Sequence, residues 1–299
     1  MRAPVAPDAH TDPAVPSAGY LGPEGTFSEE ALFACVPEGA VAPVAFGTIR
    51  DAVLAVQEGS VRWALVPIEN SIEGPVTVTL DTLVVDAIDV CIVGEFVLAV
   101  RHNLIASAPV ALEQIHTIVS HPHVPGQCSR FLHGSVPHAK IVAASSTAEA
   151  VRGVAEDSSG QMAAIGTQLA ARLYGCTVIA ESIQDRADNE TRFVWIAHSG
   201  DQTSPPLRVE SRAGAKTSLV FWGAGAGHAG WLVRCLDQFA TRSINLTKIE
   251  SRPMREQLGR YMFFLDLEGS TGESAVAAAL DGLRAQCEHV RVFGSYPAT

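Results

Sequence analysis

Four short runs hold the polar side chains able to act on a small anion. Leu21-Gly-Pro-Glu-Gly-Thr-Phe-Ser28 sets two glycines, a proline and two hydroxyls between a short apolar segment and a helical one. Backbone N–H groups and hydroxyls at a helix N-terminus suit a carboxylate. A plain strand–helix turn capped by Ser28 is the simpler alternative. Pro67-Ile-Glu-Asn-Ser-Ile-Glu-Gly-Pro75 puts Glu69, Asn70 and Ser71 at the carboxyl end of a strand expected at 63–67. Ligands bind at such ends in α/β sheets. Ser120-His-Pro-His-Val-Pro-Gly-Gln-Cys128 repeats the arrangement after a strand expected at 117–119. His121, His123, His133, His138 and Cys128 raise the question of a metal. Their spacing matches no zinc pattern and no carboxylate stands among them, so no metal is expected. Asp185-Arg-Ala-Asp-Asn-Glu-Thr-Arg-Phe193 enters a strand expected at 193–197. Arg192 offers a planar fork for a carboxylate, with the Thr191 hydroxyl beside it. A charged loop with internal Arg–Asp pairing is the alternative.

These runs need elements to hold them. A strand at 43–46 precedes Thr48-Ile-Arg-Asp51, a capped helix start running toward Gly59. A strand at 140–144 precedes a capping box, Ser146-Thr-Ala-Glu149, and another strand is expected at 162–166. Strands alternating with helices predict βαβ units and a mostly parallel sheet. Two such units, separated by the apolar segment 88–105, predict two α/β lobes with a ligand cleft between them. Residues 1–17 read as a disordered tail, 18–197 as the two-lobed body, and 198–215 as a polar linker. Residues 216–299 read as a second domain: a strand at 216–222, a helix at 229–242, strands at 245–250 and 260–267, a helix at 274–287 and a strand at 290–293. This βαββαβ order is ferredoxin-like. Gly223-Ala-Gly-Ala-Gly227 lacks the GxGxxG register of a dinucleotide loop and reads as a flexible turn.

The 299 residues suffice for two domains with their own cores. A net charge of −11 argues against a nucleic-acid binder and against docking on anionic lipid. Six scattered cysteines without a CxxC read as buried thiols of a reducing compartment. The N-terminus lacks the apolar core of a signal peptide, so a cytoplasmic protein is expected.

Together and in this order the motifs are specific. GPEGTFSEEAL, PIENSIEGPVTVTLDTL, Ser120-His-Pro with Gln127-Cys128, and Thr191-Arg192-Phe193 resemble the prephenate dehydratase family. Residues 216–299 resemble the ACT regulatory domain of that family, with Asn245-Leu-Thr-Lys-Ile-Glu-Ser-Arg-Pro253 as its signature. The resemblance runs from about residue 18 to 296, and no chorismate mutase segment precedes the first motif, so the monofunctional type is expected.

The resemblance implies a two-lobed, periplasmic-binding-protein-like catalytic domain. It also implies a reaction in which prephenate loses CO2 and its ring hydroxyl to give phenylpyruvate. Aromatisation drives that reaction, so no cofactor is implied. Hydroxide leaves poorly and needs a donor; motif matching gives that role to Thr191, with Arg192 supplying local positive charge. Thr26, Glu69, Asn70, Ser71, Ser120, Gln127 and Phe193 are implied at the substrate. Phenylalanine is implied as effector at Gly230, Leu232, Asn245, Leu246, Glu250, Ser251, Arg252 and Pro253, with a homodimer or homotetramer formed through the ACT domains. Two departures stand out: His123 where the family has Gln, and Trp231 where it has Ala, a bulk expected to crowd the effector pocket. An arogenate dehydratase, a non-aromatising prephenate decarboxylase and a small-anion sensor are the alternative readings.

Overall fold

The computed structural model describes residues 15–208, 214–254 and 259–298. Of the expected tail, 1–14 lie outside the described residues, as do 209–213 of the expected linker and residue 299. The first lobe runs through β1 (Ser17–Leu21), α1 (Phe27–Cys35), β2 (Ala42–Phe46), α2 (Ile49–Gln57), β3 (Trp63–Asn70), a short β4 (Gly74–Pro75), α3 (Thr77–Asp81) and β5 (Val90–Ala99). The chain then crosses to the second lobe: β6 (Asn103–Ala106), β7 (Thr117–Ser120), α4 (Val124–Gln127), α5 (Ser129–Ser135), β8 (Lys140–Ala143), α6 (Thr147–Ala155), β9 (Met162–Gly166), α7 (Gln168–Leu173) and β10 (Thr177–Ala180). It returns to the first lobe as β11 (Glu190–His198), which contains Thr191 and Arg192 within the strand rather than in a loop before it.

The first sheet has the order β2-β1-β3-β11-β5, the second β10-β6-β9-β7-β8. Both are mixed, which corrects the mostly parallel expectation. The βαβ pairs β1–β2, β1–β3, β7–β8 and β7–β9 are parallel. The strands beside the crossings, β5, β11, β6 and β10, pair antiparallel because the chain enters and leaves each lobe there. Helix starts follow local chemistry: the Thr48, Ser146 and Thr167 hydroxyls accept from Asp51, Glu149 and Ala170 N–H groups. Ser146 caps as expected, but the Glu149 carboxylate turns to the Ser145 hydroxyl.

The first motif behaves differently from its expectation. Thr26, not Ser28, stands at the N-cap of α1, and its hydroxyl donates to the Leu21 carbonyl at 3.0 Å. The turn N–H of Gly25 donates to the buried Glu29 carboxylate, which also accepts from the Tyr20 hydroxyl at 2.9 Å. The protein's own carboxylate therefore takes this donor. Gly25 has φ +86°, and a Cβ there would stand 3.0 Å from Ala170 Cβ of the other lobe, so only glycine fits this lobe–lobe contact.

The third unit comprises β12 (Ala215–Trp222), α8 (Trp231–Ala240), β13 (Leu246–Pro253), β14 (Tyr261–Glu268), α9 (Ser274–Arg284) and β15 (His289–Pro297). Its antiparallel sheet, β13-β14-β12-β15, has the ferredoxin-like order. One face packs through Leu219, Phe221 and Leu265 on α8 and α9, meeting Phe239 and Leu283 there. The other face joins the first lobe: Val220, Met262, Phe264, Phe293 and Tyr296 share a core with Ile68, Leu80, Leu83 and Ile92. Each such buried side chain contributes about 1.5–3 kcal/mol, so the two units are firmly joined. The preceding segment is also strapped down. The Thr203 carbonyl accepts from Trp63 Nε1 at 2.8 Å, and the Ser204 hydroxyl donates to Val93 O at 3.2 Å.

Candidate active site

Strand alternation sorts the motif residues onto two faces. Thr191 pairs with Asn70 and Arg192 with Glu69 across β11 and β3. Thr191 and Asn70 meet on one face, and Arg192 and Glu69 meet on the other.

On the first face Asn70 is the anchor. Its Oδ1 accepts from the backbone N–H groups of Ile72 and Glu73, both at 2.9 Å. That fixes the amide orientation, so Nδ2 must donate. It donates to Thr191 Oγ1 at 2.9 Å and to Asn189 Oδ1 at 2.9 Å. The orientation then propagates. Asn189 Nδ2 donates to Gln127 Oε1 at 2.9 Å, and Gln127 Nε2 donates to Glu73 Oε1 at 2.8 Å. His102 Nε2 lies 3.1 Å from the same Gln127 Oε1. This chain spans both lobes. Its buried members Asn189 and His102 escaped the sequence reading, although Asn189 lies inside the fourth motif. A cavity of about 300 Å³ opens beside it, lined by Gln127, Arg130, Gln184, Arg186 and Asn189 among others. Its two guanidinium side chains were also missed.

The remaining expected substrate residues do other work. The Ser71 hydroxyl donates to Asp188 O and accepts from Glu190 N–H, each at 3.0 Å, tying the turn after β3 to the segment that enters β11. Ser120 is fully buried, its closest hydroxyl contact a 3.4 Å bond to His121 O. Phe193 is packed with Tyr20 and Trp195 in the first-lobe core. Thr26 makes no hydrogen bond to the chain of amides, though neighbouring Phe27 meets His102 edge-on at 5.4 Å.

On the second face both terminal nitrogens of Arg192 are paired, while its buried Nε has no partner. Its guanidinium donates to Glu95 at 3.1 Å, to Glu69 at 3.1 Å, and to Asp266 of β14. Lys216 of β12 donates to Glu95 at 2.6 Å, and Lys248 of β13 stands 3.4 Å from Glu69. Burial works against the Arg192 charge, yet the fields of Asp266, Tyr296 and Glu95 and the Asp266 hydrogen bond outweigh it and raise its pKa. Arg192 and Glu69 thus face the third unit, not the cleft with Thr191.

The expected effector residues divide likewise. Gly230 and Leu232 line a cavity of about 190 Å³ with Trp231, Tyr261 and Phe263. Arg252 instead grips both oxygens of Asp81 on α3 at 2.8–3.2 Å. Leu246 packs toward the helices, Glu250 pairs with Phe264 in the sheet, and Asn245, Ser251 and Pro253 are exposed. Trp231 is buried, with its Nε1 donating to Gln286 O at 2.7 Å. Among the described residues no group of three or more His, Cys, Asp or Glu side chains is assembled for a metal. None of the described helices is long and apolar enough to cross a membrane.

The family model for prephenate dehydratase matches residues 18–201. A prephenate dehydratase of Mycobacteroides abscessus is 40% identical over 286 residues, covering 93% of this chain and 89% of the relative. The structure of a prephenate dehydratase from Arthrobacter aurescens in complex with L-Phe superimposes with a TM-score of 0.82 at 36% identity, covering 95% of this chain and 92% of that one. A structure described as a quorum-quenching acylase, GqqA, shares the fold with a TM-score of 0.81 at 26% identity, covering 94% and 98%. With its motifs in order and this similarity over nearly its whole length, the chain belongs to the prephenate dehydratase family.

Proposed function

We propose that the cleft face carrying Thr191 and Asn70 converts prephenate to phenylpyruvate. The observation that carries this is the 2.9 Å bond from Asn70 Nδ2 to Thr191 Oγ1. With Asn70 donating, the Thr191 oxygen accepts and its own proton is free to point at the substrate. An accepted hydrogen bond also polarises the hydroxyl as a donor. In the reaction the ring carboxylate leaves as CO2, its bonding pair enters the ring, and the C–O bond breaks. Hydroxide departs with a proton from Thr191, which solvent then replaces, so one proton is consumed as water forms. Gln127 Oε1 already accepts from Asn189 and one Nε2 hydrogen goes to Glu73, so Gln127 serves the substrate through its other N–H. Arg130, beside the cavity, is suited to a carboxylate of prephenate, whereas Arg186 there is held by Asp188 at 2.6–3.0 Å. Arg192 acts outside the cleft, holding β11 against the third unit.

Residues 216–299 form an ACT-type regulatory domain in this reading, and 18–197 the catalytic one. Phenylalanine binds near Gly230 and Leu232, and its occupancy reaches the catalytic strands through Lys248–Glu69, Arg252–Asp81 and Asp266–Arg192. Copies pair through these domains in the cytoplasm.

The test is incubation of purified protein with prephenate at neutral pH, with and without phenylalanine, against a no-enzyme control. Phenylpyruvate above the control, at a rate that phenylalanine changes, is expected. A non-aromatic decarboxylated product, a preference for arogenate, or binding without turnover would replace this reading with the corresponding alternative.

A further inference from the structure

The two crossings between the lobes lie side by side. Val100 N–H donates to Asn189 O at 2.8 Å, and Ile183 N–H donates to His102 O at 2.8 Å. The Gln184 side chain accepts from His102 N–H at 3.0 Å. His102 and Asn189 thus sit one on each crossing, and both reach Gln127 in the second lobe. Their side chains converge on a single atom, Gln127 Oε1.

The amide orientations decide which tautomer His102 carries. The backbone N–H groups of Ile72 and Glu73 hold Asn70, Asn70 orients Asn189, and Asn189 orients Gln127 with Oε1 inward. The Gln127–Glu73 bond confirms the same orientation from the other end. Oε1 is an acceptor only, so His102 must present Nε2–H. Its Nδ1 then carries a lone pair. That atom is buried and has no hydrogen-bond partner. A proton on Nδ1 would be an unpaired buried donor, which is costly.

We propose that neutral His102 is a positioning residue of the dehydratase: from the crossing between the lobes it locks the Gln127 amide with its N–H toward the substrate. The proposal rests on the dehydratase reading above. Phe27, Gln127 and Gln184 contact His102 without charge, and Glu73 is the charged group whose field reaches it. Burial lowers the His102 pKa, against the opposing pull of the Gln127 bond and Glu73. Protonation therefore begins below the ordinary histidine value of about 6.5. It forces a proton onto Nδ1 and strains the lock.

The test compares parent, His102→Gln and His102→Leu in prephenate kinetics across pH 5–8. Loss of one buried hydrogen bond predicts a KM about tenfold higher for His102→Leu, with kcat changed less. His102→Gln, which keeps an N–H donor, should recover part of that KM. The acid limb of kcat/KM below pH 6.5 should vanish in both variants. A folded variant that keeps the parent KM and acid limb overturns the proposal. So does 15N NMR of the parent showing His102 as the Nδ1–H tautomer. The NMR result stands whether or not prephenate is turned over, so failure of the lock and failure of the dehydratase reading are told apart.

Discussion

Arg192 of the catalytic strand β11 donates to Asp266 of β14, a carboxylate in a different folding unit 74 residues away in sequence. Asp266 is itself held by the Ser218 hydroxyl, which meets the Tyr296 hydroxyl at 2.6 Å. Arg192 also carries Glu95, whose side chain is 1% exposed. Removing one member of a buried ionic cluster leaves its partners desolvated, at a cost of about 3–5 kcal/mol.

Arg192→Leu should therefore lower stability by about that amount, measured as a urea midpoint. Arg192→Leu combined with Asp266→Asn should regain part of the loss, because one stranded charge is removed. Correctly folded Arg192→Leu should retain far more turnover than a variant lacking the Thr191 hydroxyl. An unchanged urea midpoint with a thousandfold loss of turnover would return Arg192 to the chemical step.

Gly225 and Trp231 form a second interlocked pair. A Cβ on Gly225 would overlap the Trp231 indole, so the glycine-rich run and the bulky tryptophan are one adaptation. The expected flexible turn is a 3-10 turn, Ala224–Gly227, against which the ring packs. Gly225→Ala should cost about 1–3 kcal/mol by overpacking. Trp231→Ala should cost about 3–5 kcal/mol by leaving a cavity. The double variant should lose less than the two combined by about 1 kcal/mol or more, since the clash disappears with the ring. Strict additivity in denaturant melts would show that the two residues do not touch. Trp231→Ala should also enlarge the cavity beside Gly230 and sharpen the phenylalanine response.

The motif residues were legible as a group because polar side chains cluster at strand ends. Their division into two faces followed from period-two alternation alone. Arg192 next to Thr191 within one strand must point the opposite way, a consequence hidden when the strand is expected to start only at 193. The β-strands and capped helices around Thr48 and Ser146 were readable from local hydroxyls and apolar runs. Asn189 and His102 were not. They lie in crossings without periodicity, and their partner Gln127 is 62 and 25 residues away. The split of the ESRP signature was equally hidden, because Arg252 finds its partner Asp81 171 residues earlier.

Thr191 and Asn70 carry the sharpest prediction. Thr191→Val keeps the strand's shape and β-branching but removes both the acceptor for Asn70 and the donor for the leaving hydroxyl. Positioned proton donors typically contribute about 10²–10⁴ in rate, so kcat should fall by that factor with KM nearly unchanged. Thr191→Ser keeps the oxygen and should lie within about tenfold of the parent. Asn70→Ala frees the Thr191 oxygen and also removes the anchor of the amide chain. It should therefore lower kcat and raise KM together, a pattern distinct from Thr191→Val. Single-turnover measurements on the three variants read these effects directly. Near-parental turnover in Thr191→Val would remove the hydroxyl from the reaction, leaving the departing oxygen to a solvent proton.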